Sequence, residues 1–89
     1  MIWVVMGGTG EYSDRREWPV RAYKDKAVTE REVTRLTEEA KALMARVGYD
    51  YSAEQSKAVD EHGEKVGDPG FLMDYTGTSY FYYEVELVD

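Results

Sequence analysis

The chain predicts an α+β fold: a small three-stranded, mostly antiparallel sheet in order 2-1-3 packed on one long helix, with element order ββα(α)β. Three observations carry this. Ile2 to Met6 is a short β-branched and aromatic run, apolar on both faces, as a central strand requires. Residues 29–47 repeat apolar side chains at spacings of three and four. From Ser79 onward the chain alternates with period two. At 89 residues the chain is read as one domain, 1–89. A domain of that size buries roughly 60–70% of its unfolded-chain surface, enough for one core but not for a two-domain cleft.

The first strand is expected to end at Gly7, Gly8 and Gly10, which open the polar loop TGEYSDRRE. Trp18 to Tyr23 then alternates, with Trp18, Val20 and Ala22 on one face and Pro19, Arg21 and Tyr23 on the other. Pro19 cannot donate to a ladder, so this is an edge strand. The helix is expected over 29–47. Thr29 and Glu32 fit a capping box, in which hydroxyl and carboxylate cover free amides of the first turn. Val33, Leu36, Ala40, Leu43 and Val47 form its apolar stripe, and Gly48 stands where a left-handed C-terminal residue belongs. Ser52 to Gln55 resembles a second capping box, which would start a short helix running to about His62. Gly63, Gly67, Pro69 and Gly70 mark a loop with Asp68-Pro69-Gly70 at its tip. In the last strand Phe81, Tyr83, Val85 and Leu87 share one face, expected to be buried. Tyr80, Tyr82, Glu84 and Glu86 share the other, expected to be wet.

Composition excludes several function classes. Eleven Lys and Arg stand against eighteen Asp and Glu, a formal charge of −7, which argues against direct binding of duplex DNA or an anionic membrane. There is no cysteine and a single histidine, His62. A disulfide framework, a thiol nucleophile and a multi-His metal site are therefore excluded. No stretch of about 20 apolar residues exists to span a membrane, and residues 1–6 lack the basic region of a signal peptide. The chain reads as cytoplasmic.

The charge is uneven. Residues 1–46 hold nine basic and eight acidic side chains, whereas residues 47–89 hold Lys57 and Lys65 against ten acids. Six of the eight tyrosines also lie in that second half. Two readings stand side by side: a solubilising surface, or an acidic face that docks on a basic protein surface with Tyr as contact residue. On the second reading the protein-binding residues are Asp74, Tyr75, Tyr80, Tyr82, Glu84 and Glu86.

Chemistry finds little support. The Gly-rich segment 7–16 follows a strand and could cradle a phosphate with backbone amides, using Gly8, Gly10, Tyr12, Arg15 and Arg16. It lacks the Gly-Lys-Ser/Thr end of a P-loop, and no helix starts there. Gly77-Thr78-Ser79 is a second small polar loop that could face the first, or a simple turn. Ser13, Ser52, Ser56 and Ser79 have no neighbouring His, and no carboxylate pair is set apart as acid and base. No EF-hand spacing is present. The expectation is a non-enzyme with no catalytic residue, no metal site and no cofactor.

The segments GEYSDRREW (10–18) and DYTGTSYFYYEVEL (74–87) resemble small uncharacterised proteins of phages and prophages, which pair such a loop with such a final strand. The resemblance implies a phage accessory protein in the cytoplasm of an infected bacterial host. By analogy of class, small acidic cysteine-free phage proteins include anti-CRISPR and other anti-defence inhibitors. The expected function is thus a non-enzymatic inhibitor of a host defence or nucleic-acid-handling protein. Its partner would be a host protein with a basic surface, such as a CRISPR effector subunit. A homodimer is a further option, and the alternative function is a small-ligand or nucleotide-binding module built on loop 7–16.

Overall fold

The computed structural model describes residues 1–10, 13, 15–47, 68, 70–73 and 77–88, and of Arg46 and Val47 the backbone alone. Strand β1 spans Ile2–Thr9, β2 Arg16–Tyr23 and β3 Thr78–Val85, and helix α1 spans Lys26–Val47. The strand order is β2-β1-β3, with β1 antiparallel to both neighbours. The predicted α+β class, the sheet order and the single long helix are all found. The expected second capping box and short helix, with Gly48 and His62, lie outside the described residues.

Strand β1 runs three residues further than expected, through Gly7 and Gly8 to Thr9. Glycine weakens a strand but does not end one when the backbone must be approached closely. Gly7 pairs with Trp18 on one side and Tyr80 on the other. A Cβ built on Gly7 would lie 2.5 Å from Cε2 of the Trp18 indole, and one on Gly8 would lie 2.2 Å from a guanidinium nitrogen of Arg15. Neighbouring side chains occupy the space that side chains at 7 and 8 would need.

Strand β2 departs from simple alternation. Val5 pairs with Arg21 and Met6 with Pro19, so Val20 is an extra residue opposite one step of β1. A bulge of this kind shifts the alternation by one position, and proline is tolerated there. Trp18, Val20 and then Tyr23 pack against the core, while Ala22 is exposed. The expected grouping of Ala22 with Trp18 and Val20 is corrected accordingly.

Helix α1 begins at Lys26, one turn earlier than expected. Its cap is Asp25, whose Oδ1 accepts the Val28 amide at 3.1 Å. Thr29 is already inside the first turn. It is fully buried, and its hydroxyl donates to the Asp25 carbonyl at 2.8 Å, the acceptor its own amide also uses. Glu32 does not reach back to a cap; it grips Arg35 one turn on, at 3.2 and 2.6 Å. Asp25 supplies the side-chain acceptor one turn sooner than Thr29 could, so the helix starts there.

The helix lies on one face of the sheet. Leu36, Ala40 and Leu43 form a single core with Val5, Tyr80, Phe71 and Met73, and Val33 and Met44 pack at its margin. Burying each large apolar side chain stabilises the fold by about 1.5–3 kcal/mol. The predicted stripe is therefore present at Val33, Leu36, Ala40 and Leu43. Phe71 and Met73, in an irregular segment without periodicity, carry no sequence signal of their burial.

Candidate functional site

The two faces of β3 are the reverse of what alternation suggested. Tyr80 is buried, at 6% exposure, while Tyr83 is 47% and Leu87 57% exposed. Thr78, Tyr80 and Tyr82 pair with Thr9, Gly7 and Val5 of β1, and Val5 belongs to the core under the helix. Residues opposite one another in a ladder share a face, so the even-numbered row of β3 faces α1. Tyr80 and Tyr82 are thus not a wet docking row. The half-buried Tyr82 donates its hydroxyl to Oε1 of Glu30 on the helix at 3.1 Å. That hydrogen bond, more than burial, raises its pKa.

Tyr80 goes further inward. Its hydroxyl donates to Oδ2 of Asp68, a carboxylate with no exposed surface. The indole N–H of Trp18 donates to the same carboxylate, at 3.1 Å to Oδ1 and 3.3 Å to Oδ2. Burial pushes the Tyr80 phenol well above the ordinary tyrosine range, and the hydrogen bond and charge of Asp68 add to it. Gly7 makes this arrangement possible: in the middle strand it sits between Trp18 and Tyr80 and leaves room above itself. A Cβ on Gly70 would lie 3.1 Å from Cδ1 of the same indole. The Phe71 amide donates to the Asp68 carbonyl at 3.1 Å, closing the expected turn. The turn is where the sequence placed it, but Asp68 is buried rather than at an exposed tip. A buried carboxylate needs donors, and two aromatic side chains on outer strands supply them.

The opposite face of the sheet carries Ile2, Val4, Met6, Phe81, Tyr83 and Val85, all half-buried or exposed. None belongs to the core cluster, and among the described residues no helix or strand covers them. Leu87 and Val88 continue beyond the strand, 57% and 78% exposed. Glu84 is exposed too, but it pairs with Trp3 in the even-numbered row, on the α1 side of the sheet; Glu86 is exposed just past the end of β3. Of the expected protein-binding residues, Glu84 and Glu86 are therefore on the surface, Tyr80 and Tyr82 are turned to the helix, and Asp74 and Tyr75 lie outside the described residues.

The Gly-rich segment and the Gly77 turn do meet. The Thr9 hydroxyl donates to the Gly77 carbonyl at 2.7 Å, and the Thr78 hydroxyl to the Leu72 carbonyl at 2.5 Å. Gly10 and Gly77 both have left-handed backbone, with φ of 88° and 83°. Between these turns and the C-terminal half of α1 lies a hollow of about 360 Å³. It is lined by Gly10, Arg15, Lys41, Met44, Gly77 and Ser79, among others. Arg15 also pairs with Glu17 at 3.3 Å. Of the residues the sequence proposed for a ligand, Gly10 and Arg15 line the hollow. Gly8 is buried against the Arg15 guanidinium, Arg16 is exposed in β2, and Tyr12 is outside the described residues. Lys41 was not legible as a partner, because it is one of many charges on the solvent side of a helix.

Among the described residues no group of three or more His, Asp or Glu could hold a metal ion, and no helix is long and apolar enough to cross a membrane. The molecule is a small α+β domain in which, among the described residues, one sheet face is covered by a helix and the other is open. No protein-family model, curated protein or solved structure matches the chain.

Proposed function

We propose that the chain is a non-enzymatic binding protein that docks on a basic protein surface through the open face of its sheet. One observation carries this: the apolar row of β3, with Phe81, half-exposed Tyr83 and Val85, lies on the side that α1 leaves bare. Tyr83 takes the anchoring role that the sequence gave to Tyr80 and Tyr82. An aromatic ring at the centre of a patch supplies contact energy, and surrounding charge selects the partner and speeds encounter. Glu86 is exposed just past the end of β3, next to the exposed Leu87 and Val88, in a chain of net charge −7, so the complementary partner is basic.

The phage-like segments 10–18 and 74–87 direct the search to bacterial host defence and nucleic-acid-handling proteins, CRISPR effector subunits among them, with inhibition as the consequence of docking.

The test is affinity capture from bacterial lysate followed by binding measurements with the captured protein. Tyr83→Ala should weaken binding at least tenfold. Glu86→Lys should weaken it and reduce its salt dependence, while Glu38→Lys, on the exposed side of α1, should not. A captured protein indifferent to all of these substitutions overturns the reading. Self-association in light scattering, abolished by Tyr83→Ala with no other partner found, would replace it with a homodimer.

A further inference from the structure

The hollow between the two glycine turns and α1 is chemically unlike the rest of the molecule. The chain carries eighteen acids against eleven basic residues, yet the described lining of this hollow contains Arg15 and Lys41 and no carboxylate. Both cations are exposed, and among the described residues Lys41 has no ion-pair partner, whereas Arg15 holds Glu17 only loosely at the surface. A hydroxyl is present on exposed Ser79. Two glycines in left-handed conformation, Gly10 and Gly77, contribute backbone with no side chain in front of it. Cations from two different elements, a hydroxyl and bare backbone together are what an anionic oxygen cluster requires.

The rim is also held in place. Thr9 and Thr78 are opposite each other in the β1–β3 ladder and both buried. The Thr9 hydroxyl ties the end of β1 to the Gly77 carbonyl at 2.7 Å, and the Thr78 hydroxyl ties the start of β3 to the Leu72 carbonyl. These bonds use the threonine hydroxyls and leave the one on Ser79 to serve a ligand. Met44 lies close behind Gly77, where a Cβ would sit 3.7 Å from its Cγ, so one wall of the hollow is apolar. At about 360 Å³ the space falls within the roughly 300–1,000 Å³ of small-molecule sites, larger than a bare phosphate needs.

We propose that this hollow binds the phosphate group of a small phosphomonoester, with Arg15 and Lys41 neutralising its charge and the organic part lying toward Met44. The hollow lies at the glycine-turn end of the sheet, at the start of β3, and the proposal stands whether or not a protein docks on the open face.

The experiment titrates the full chain with adenosine 5′-monophosphate, inorganic phosphate and adenosine, reading amide shifts by two-dimensional NMR and affinity by calorimetry. Adenosine 5′-monophosphate stands for a phosphomonoester with a planar apolar body. The expected result is saturable shifts at the Gly10 and Gly77 amides with the monophosphate, weaker binding of inorganic phosphate, and none of adenosine. Lys41→Gln and Arg15→Gln should each weaken monophosphate binding at least tenfold, while Arg16→Gln, in the exposed part of β2, should change it less than twofold. Lys41 is exposed, so its variant keeps the fold, and an unchanged spectrum elsewhere verifies that. Inorganic phosphate binding as tightly as the monophosphate would make free phosphate the ligand and overturn the organic part of the proposal. No shift at Gly10 or Gly77 with either phosphate compound, or equal losses in all three variants, would overturn the site.

Discussion

Tyr80 and Asp68, twelve residues apart in the chain, meet inside the molecule: the phenol hydroxyl donates to Oδ2 of a carboxylate with no exposed surface. Trp18 donates to the same group from the far strand. The irregular segment around Asp68 is thereby fastened across all three strands, and Phe71 and Met73 enter the core beside it. A hydrogen bond to a charged acceptor contributes about 1.5–3 kcal/mol. Tyr80→Phe should lower stability in urea by that amount with little change in the denaturant slope. Tyr80→Phe and Trp18→Phe should be non-additive in a double-mutant cycle, because they share one carboxylate. An unchanged urea midpoint for Tyr80→Phe would show that the bond does not stabilise the fold.

The same phenol sets an alkaline limit. Its pKa is raised in the folded state, first by burial and then by Asp68, so the unfolded chain releases this proton before the folded chain does. The stabilising effect is complete below about pH 10, the ordinary tyrosine value, and is lost as pH rises above it. Stability should therefore fall by about 1.4 kcal/mol per pH unit from this group alone. Comparing Tyr80→Phe with the parent protein between pH 9 and 11 (a range of roughly two units about the ordinary value) isolates the slope. Parallel curves would contradict the assignment.

Gly7 is the residue on which the clamp depends sterically. Gly7→Ala would put a methyl group 2.5 Å from the Trp18 ring, and overpacking of this kind costs about 1–3 kcal/mol. The melting temperature should drop and the Trp18 fluorescence should shift. Trp18→Phe in the same background should recover part of the loss, since the smaller ring vacates the collision.

The position of the helix cap separates two substitutions that the sequence alone would rank the other way round. Asp25→Ala removes the acceptor of the Val28 amide and should cost about 0.5–2 kcal/mol. Glu32→Gln removes an exposed pair with Arg35 and should cost under about 1 kcal/mol. The carboxyl of Glu32 is held below its usual range chiefly by the hydrogen bond from Arg35, against the opposing effect of burial. Whatever that pair adds is present at neutral pH and lost as pH falls through the folded-state value. Thermal unfolding of the two variants at neutral pH measures the difference directly.

Short-range physics decided a good deal. The β-branched run at Ile2 to Met6 made β1 the centre of the sheet, the three-and-four spacing made α1, and period two made β3; the order 2-1-3 followed. The absence of cysteine and the single histidine removed whole classes of chemistry before any contact was known. The tertiary structure decided the faces and the sites. Alternation states that two faces differ but not which one is covered, and in β3 both rows carry aromatic rings. The choice was made by Asp68 and Gly7, one a distant acceptor for the Tyr80 hydroxyl and the other a gap opposite its ring. The bulge at Val20 likewise moved Tyr23 to the core and Ala22 to solvent. Lys41 joined Arg15 at one hollow only because the helix crosses the end of the sheet there. Each depends on groups far apart in the chain, and a local pattern holds no record of such distances.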